Sequence, residues 1–188
     1  MGALLMRVLL HSCCGPCASA CVPRLKADGR EVAMLFANSN IDTREEFERR
    51  LAAARTLAAA ENVELFSLPY DHGEWLREVA AGLEDAQEKG ELCARCFRYN
   101  LAKAAAFARE RGFDAFTTSL TVSPHKVSAM VFAAAAAAGD GLFLREDFKK
   151  RDGFKESTRR AAELGLYRQD YCGCEFSRRD AERRRKAE

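Results

Sequence analysis

The stretch RVLLHSCCGPC, residues 7–17, decides the fold that we predict for this chain. Residues 7–12 form a short apolar run typical of a buried strand, and the run ends in a turn rich in cysteine. Residues 14–27 then have the length and composition of a first helix. A strand that passes through a tight turn into a helix is the opening unit of a parallel α/β sheet.

The rest of the chain alternates between apolar runs of strand length and longer segments of helical composition. The predicted strands are residues 7–12, 31–36, 63–68, 113–120 and 142–144. The predicted helices are residues 14–27, 74–86, 94–111, 124–138, 156–164 and the basic tail. A further helix is predicted to begin at a capping box of Thr43 and Glu46. This order predicts one α/β domain over residues 1–188, a doubly wound, mostly parallel, Rossmann-like sheet of about five strands with a helical tail at about 178–188.

Composition narrows the class of protein. The chain has 188 residues, 48% of them hydrophobic and 31% charged, which is typical of a globular domain rather than a disordered chain. No apolar run approaches the roughly 20 residues that a membrane span needs, and we expect no removable signal peptide. We therefore expect a cytoplasmic protein whose eight cysteines stay reduced, a setting in which paired cysteines indicate metal or redox chemistry.

The predicted strand ends indicate where a ligand would bind. In doubly wound sheets, ligands bind outside the carboxyl ends of the strands. Those ends are expected at residues 11–14, 38–40, 70–72, 118–123 and 146–147. The first of them carries cysteines, so the binding edge and the cysteine turn coincide.

The cysteines fall into three groups, around residues 13–21, 93–96 and 172–174. A C-x-x-C pair at the start of a helix lets two thiolates meet one ion, and the glycine between Cys172 and Cys174 permits a tight turn. Buried structural thiols would explain single cysteines but explain three close-spaced groups poorly. Two other interpretations stay open: a thioredoxin-like dithiol oxidoreductase that uses Cys14 and Cys17, and a zinc-stabilised RNA-binding module. The glycine-rich patterns that bind NAD, FAD or nucleotide phosphates are absent from the sequence.

Charge is unevenly distributed along the chain. Residues 145–188 carry 14 Lys and Arg against 10 Asp and Glu, a net charge of +4, whereas the other 144 residues have a net charge of −2. Such an excess is consistent with a solvated helix or with a surface that contacts nucleic-acid phosphates.

Six stretches together cover nearly the whole chain: LLHSCCGPC (9–17), NSNID (38–42), CARCFRYNL (93–101), FTTSLTVSPHK (116–126), DFKKRDGF (147–154) and LYRQDYCGCEFS (166–177). In sequence and in order they resemble one known family, the QueH-type epoxyqueuosine reductases. The resemblance implies reductive deoxygenation of epoxyqueuosine, already installed at the wobble position of tRNA, to queuosine. It also implies a metalloenzyme that works without cobalamin.

The resemblance further implies two iron centres, a [4Fe–4S] cluster and a mononuclear iron held by three side chains. Seven cysteines lie in the family motifs and would hold them: Cys13, Cys14, Cys17, Cys93, Cys96, Cys172 and Cys174. How these seven divide between the two centres is left open. Cys21 lies outside the motifs and is expected to be structural.

The implied reaction needs two electrons, an electrophile at the epoxide oxygen and a proton source. Electrons would come from an external donor. Asp71 is our candidate proton donor, ahead of His72 and His11, because it follows a predicted strand end. Tyr171 is our candidate for stacking on the flipped base, and residues 149–151 and 183–186 for contacts with tRNA phosphates.

Overall fold

The computed structural model describes residues 5–139 and 141–187. Four strands form the sheet: β1 (Arg7–His11), β2 (Glu31–Phe36), β3 (Glu64–Ser67) and β4 (Ala115–Thr118). The helices are α1 (Gly15–Ala27), α2 (Arg44–Glu61), α3 (His72–Trp75), α4 (Glu91–Glu110), α5 (Ser128–Gly139), α6 (Gly153–Glu163) and α7 (Glu175–Ala187). Every strand pair is parallel and the order is β3-β2-β1-β4, so the prediction of a doubly wound α/β sheet with a helical tail is confirmed.

The prediction of about five strands is wrong, because the described part of the chain has four. The expected fifth strand, residues 142–144, forms an isolated bridge in which Phe143 lies opposite Phe116. Two hydrogen bonds hold it, from the Phe116 N–H to the Leu142 carbonyl at 2.9 Å and from the Leu144 N–H to the Phe116 carbonyl at 2.8 Å. The ladder cannot grow because β4 ends at Thr118 in a 3₁₀ turn, Ser119–Val122.

Two predicted helices have different bounds. The helix expected at 74–86 is a single turn, α3, followed by a π-helical turn over Leu76–Ala80, and the chain then leaves helical geometry at Ala81. The helix expected from residue 124 begins at Ser128, since residues 123–127 form turns. By contrast, the predicted N-cap of α2 is confirmed, with the Thr43 hydroxyl accepting the Glu46 N–H at 3.1 Å. The Glu46 carboxylate, which the predicted capping box would pair with the Thr43 N–H, instead accepts from Arg50 and Tyr167.

The core has two layers, one on each face of the sheet. Because side chains alternate along a strand, Val8 and Leu10 pack with α1, α2 and α6, whereas Leu9 packs with α4 and α5. A third, smaller cluster around Trp75 and Leu92 joins the π-helical turn to α4 and α7. Among the helices within residues 5–139 and 141–187, none has both the length and the apolarity that a membrane crossing demands.

Candidate metal centre in a cysteine-lined pocket

A pocket of about 530 Å³ opens outside the carboxyl ends of β1 and β4. In the order β3-β2-β1-β4, the connections that leave β1 and β4 run to opposite sides of the sheet. The crevice between two such strands is the usual position of a ligand. Five of the eight cysteines line this pocket: Cys13, Cys17, Cys93, Cys96 and Cys172. The predicted coincidence of binding edge and cysteines is therefore observed.

Cys13, Cys14 and Cys17 form the tightest group, with their sulfur atoms within 4.8 Å of one another. Cys14 is the N-cap of α1, and its sulfur accepts the Cys17 N–H at 3.4 Å. Gly15 lets this first turn lie against α2, since a Cβ there would sit 2.8 Å from the backbone of Ala53. A helix N-terminus favours the anionic form of a thiol, so the local fold suits a metal-binding thiolate.

The three thiols differ in their proton affinity. Hydrogen bonds from the Cys13 and Cys17 side chains outweigh burial and hold the pKa of Cys14 well below its usual value. Hydrogen bonds to Cys13 and Cys14, together with burial, raise the pKa of Cys17 well above its usual value. The group therefore holds one thiolate readily, while further deprotonation needs a positive charge nearby.

Ser119 fixes the position of Cys13, a role that our sequence analysis did not identify. Its hydroxyl accepts the Cys13 N–H at 3.0 Å and donates to the Cys13 sulfur at 3.3 Å. The sequence signal for this role is the position of Ser119 directly after β4, the strand that pairs with β1 and so lies next to the cysteine turn.

Cys93 and Cys96 lie on the first turns of α4. The Lys89 N–H donates to the Cys93 sulfur at 3.3 Å, and the Asn100 side-chain amide lies 3.7 Å from the Cys96 sulfur. Burial raises the pKa of Cys96 well above its usual value, and the nearby charges of Cys172 and Cys174 raise it further. The second and third cysteine groups are thus close enough to interact.

The Cys172–Cys174 turn is held against α2 and the loop before it. Arg50, which is 1% exposed, donates to the Cys172 carbonyl at 2.8 Å and to Glu46 at 2.7 Å. The Asp42 N–H donates to the Gly173 carbonyl at 2.9 Å. Gly173 has a φ of +151°, and a Cβ there would lie 3.0 Å from the Asn40 side chain, so this position requires glycine.

Lys126 lies between the cysteine groups at the pocket wall. Its ammonium donates to the Cys172 sulfur at 3.3 Å, and its carbonyl accepts from the Lys149 ammonium at 2.7 Å. Burial alone would lower the pKa of Lys126, but the charges of Cys172, Cys13 and Cys17 outweigh burial and raise it. This half-buried positive charge partly balances the thiolates that face the pocket.

The donor set fits the iron centres that the family resemblance implies. Thiolates are soft ligands that suit iron–sulfur clusters, iron and zinc. Seven thiols from three distant segments converge around one pocket, and Cys174 packs beside Cys96 in the third cluster. Cys21 is separate: it is fully buried in the core, and its thiol donates to the Cys17 carbonyl at 3.4 Å.

The other predicted site residues divide between the pocket and its surroundings. Tyr171 lines the pocket, with its hydroxyl donating to Asp42 at 2.9 Å and its ring centre 5.0 Å from the Arg50 guanidinium. Asp71 is exposed outside the lining and caps α3 by accepting the Glu74 N–H at 2.8 Å. His11 is fully buried behind the cysteine turn, where its Nδ1 is hydrogen-bonded to Thr118 at 3.0 Å.

The basic tail forms α7 up to Ala187, and residue 188 lies outside the described residues. Some of its arginines pair with acidic side chains of the same chain: Arg178 with Asp42 and Arg184 with Glu88, both at 3.0 Å. These pairs fasten the helix beside the pocket.

Fold and site together define a doubly wound α/β protein with a candidate thiolate metal centre at the switch point of its sheet. A crystal structure described as a predicted subunit of tRNA methyltransferase, from Methanocaldococcus jannaschii, has a similar fold. Its TM-score is 0.57 at 14% sequence identity, over 85% of this chain and 75% of that one. At this identity the likeness concerns the fold alone.

Sequence comparison gives the family. A family model described as "Epoxyqueuosine reductase QueH" matches residues 8–180. Relatives with that description include proteins from Streptococcus pyogenes serotype M1 (35% identity over 179 residues, 90% of this chain and 69% of the relative) and Dehalococcoides mccartyi (34% over 175 residues, 91% and 92%). The chain belongs to the QueH family of epoxyqueuosine reductases, which are oxidoreductases.

Proposed function

We propose that this chain reduces epoxyqueuosine in tRNA to queuosine, with iron held by its seven clustered cysteines. The observation that carries the proposal is the clustering of these cysteines at one pocket, with five of them in its lining. The pocket volume of about 530 Å³ is within the usual range for small-molecule sites. Family membership supports the substrate. The reaction would take place in the cytoplasm, with an external electron donor.

We assign Cys13, Cys14 and Cys17 to the mononuclear iron. This division is supported by the proximity of their three sulfur atoms, which lie within 4.8 Å of one another. The remaining four, Cys93, Cys96, Cys172 and Cys174, would hold the [4Fe–4S] cluster. Their proximity is supported by the charge of Cys172, which contributes to raising the pKa values of the other three. When bound, such groups supply single electrons and a Lewis acid.

The overall reaction consumes two electrons and two protons. Both C–O bonds of the epoxide break, a carbon–carbon double bond forms, and the oxygen leaves as water. The protein's own contribution is a pocket lined by five cysteines, with the Lys126 ammonium as a positive charge on its wall. Tyr171 would stack on the base, and Asp71 stays our predicted proton donor, although its carboxylate caps α3.

A dithiol oxidoreductase is the second candidate. The lowered pKa of Cys14 at the start of α1 favours it, since a thiolate is the nucleophile in thiol exchange. However, Cys14 is only 1% exposed, which restricts attack on a protein disulfide. The dithiol enzyme would also remain active after removal of metal, so the two functions can be separated.

Turnover of tRNA tests the proposal directly. Anaerobically purified protein, a chemical reductant and tRNA carrying epoxyqueuosine should yield queuosine, detected by mass spectrometry of the digested nucleosides as loss of one oxygen atom. Cys172→Ser should abolish conversion, whereas Cys21→Ala, the matched change outside the pocket, should retain it. Absence of conversion by iron-loaded wild-type protein would contradict the proposal.

A further inference from the structure

Two exposed apolar side chains lie at the mouth of the cysteine pocket. Four large hydrophobic residues are exposed in the described part of the chain: Leu5, Met6, Val127 and Phe154. Val127 (44% exposed) and Phe154 (40% exposed) both line the pocket. Exposed apolar groups at the rim of a site indicate a surface that a ligand covers.

Phe154 is presented by a rigid turn. The Arg24 guanidinium donates to three carbonyls of the turn, those of Phe148 at 3.2 Å, Lys150 at 2.8 Å and Arg151 at 2.7 Å. Arg151 and Asp152 both have left-handed backbone angles, with φ values of 54° and 57°. Residues other than glycine rarely adopt this backbone geometry unless the surroundings impose it. Such residues are concentrated at functional sites.

The next residue fixes the turn further. A Cβ at Gly153 would lie 1.6 Å from the Phe148 carbonyl oxygen, so the backbone is pressed against that carbonyl and only glycine fits. Phe154 follows directly in the first turn of α6. The aromatic ring is therefore held at the pocket mouth by a turn with little freedom, as a preorganised binding group would be.

Positively charged residues flank Phe154 in the sequence. Lys150, Arg151 and Lys155 are exposed, and no ion pair engages them among the described residues. Arg151 and Lys155 also line a second hollow, together with Arg24. Acidic Asp152 and Glu156 line it too, and Glu156 is paired with Arg159.

We propose that Phe154 and Val127 form a stacking edge for the anticodon-loop nucleotide next to the modified base, with Lys150, Arg151 and Lys155 contacting the loop phosphates. Aromatic faces interleaved with positive charge are the recurring means of binding single-stranded nucleic acid. The edge is continuous with the pocket that would take the flipped base. This inference rests on the proposed function and identifies the surface that would receive the RNA loop.

Substitution of Phe154 tests the stacking edge. Phe154→Ala should raise the KM for epoxyqueuosine tRNA roughly five- to a hundredfold, the range for loss of one aromatic stacking contact, with kcat nearly unchanged. Phe154→Trp should restore binding, because it keeps an aromatic face. Met6→Ala removes an equally exposed apolar side chain that lines neither hollow, and it should leave KM unchanged.

The outcomes separate the edge from the reaction. Binding of an anticodon stem–loop RNA is measured beside turnover, so loss of conversion in the wild type would refute the proposed function while the binding series still tests the edge. A KM for Phe154→Ala within twofold of wild type would overturn the edge. Equal losses in the Ala and Trp variants would also overturn it, since the residue would then act through packing of the turn.

The charged part of the edge has its own readout. The affinity for RNA falls as salt rises, so the slope of log affinity against log salt is negative. Replacing Lys150, Arg151 and Lys155 together by alanine should make this slope less negative by about 2, as expected for the loss of three contacts with single-stranded phosphates. An unchanged slope would overturn the phosphate contacts.

Discussion

At the scale of single residues, Arg50 joins the helical core to the cysteine pocket. Its guanidinium pairs with Glu46, which is itself buried, and bonds to the carbonyl of Cys172. Tyr167 completes the arrangement by hydrogen-bonding both Glu46 oxygens, at 3.0 and 3.1 Å. The buried Glu46–Arg50 pair therefore also has a positioning role, because Arg50 holds the Cys172–Cys174 turn in place.

We predict that Arg50→Met lowers the free energy of unfolding by about 3–5 kcal/mol, since it leaves the Glu46 carboxylate buried without its partner. Denaturant unfolding measures this loss, and iron per chain after reconstitution should fall with it as the Cys172–Cys174 turn loosens. Arg55→Met, an exposed position on the same helix, is the matched control and should cost little.

The double substitution Glu46→Gln with Arg50→Met separates charge from shape. It removes both buried charges and should recover part of the stability without recovering the iron, because the bond to the Cys172 carbonyl stays lost. Full iron loading of the folded double variant would contradict the positioning role of Arg50.

At the scale of elements, α3 and α7 are joined by His72 and Glu175, whose side chains lie 3.3 Å apart. Burial on its own would lower the pKa of His72, but hydrogen bonds to Glu175 and to the Ser39 carbonyl raise it above its usual value. Burial would raise the pKa of Glu175, and the hydrogen bond from His72 outweighs this and lowers it. Each group thus stabilises the charged form of the other.

The pair should give stability with a defined pH window. The contribution of His72 is fully present below its unfolded pKa of about 6.5 and is lost as pH rises through the higher folded value, whereas that of Glu175 is lost only in acid. The difference in Tm between wild type and Glu175→Gln should therefore be larger at about pH 6 than at about pH 8.5. Glu91→Gln, which removes the exposed pair with Arg95, should show no such change. A Tm difference for Glu175→Gln that stays constant over this range would refute the assignment.

Elements also show how far sequence reasoning reaches. The alternation of apolar runs and capped helices predicts the parallel sheet, and Thr43 marks the start of α2 correctly. Residues 142–144 look like a strand because they are apolar, but pairing depends on how far β4 continues, which local composition does not encode. Similarly, the π-helical turn over Leu76–Ala80 depends on packing around Trp75.

For the site, cysteine spacing predicts three groups suited to metal or redox chemistry, and the family resemblance supplies the seven candidate ligands. The contacts that position these ligands come from residues with no distinctive spacing, such as Ser119, Lys126 and Arg50. They are brought to the pocket by separate strands and helices, so they become visible only once the chain is folded.

At the scale of the whole molecule, one edge of the sheet collects the cysteines, a half-buried lysine and an exposed aromatic side chain at the pocket mouth. The positive excess of residues 145–188 is divided: α7 uses part of it in ion pairs, and the turn before α6 leaves positive charges exposed. This division fits an enzyme whose chemistry is recessed and whose surface meets a polyanion.

The most direct test of the central claim, that the cysteine pocket is an iron centre, is the metal content of anaerobically purified and reconstituted protein together with its visible spectrum. We predict a brown protein with about five iron atoms per chain, four in a cluster and one beside it. Cys21→Ala should keep this content and Cys93→Ser should lower it. A colourless protein that holds a single zinc ion after reconstitution would contradict the account and indicate a structural zinc module, and a colourless protein without metal would indicate a dithiol enzyme.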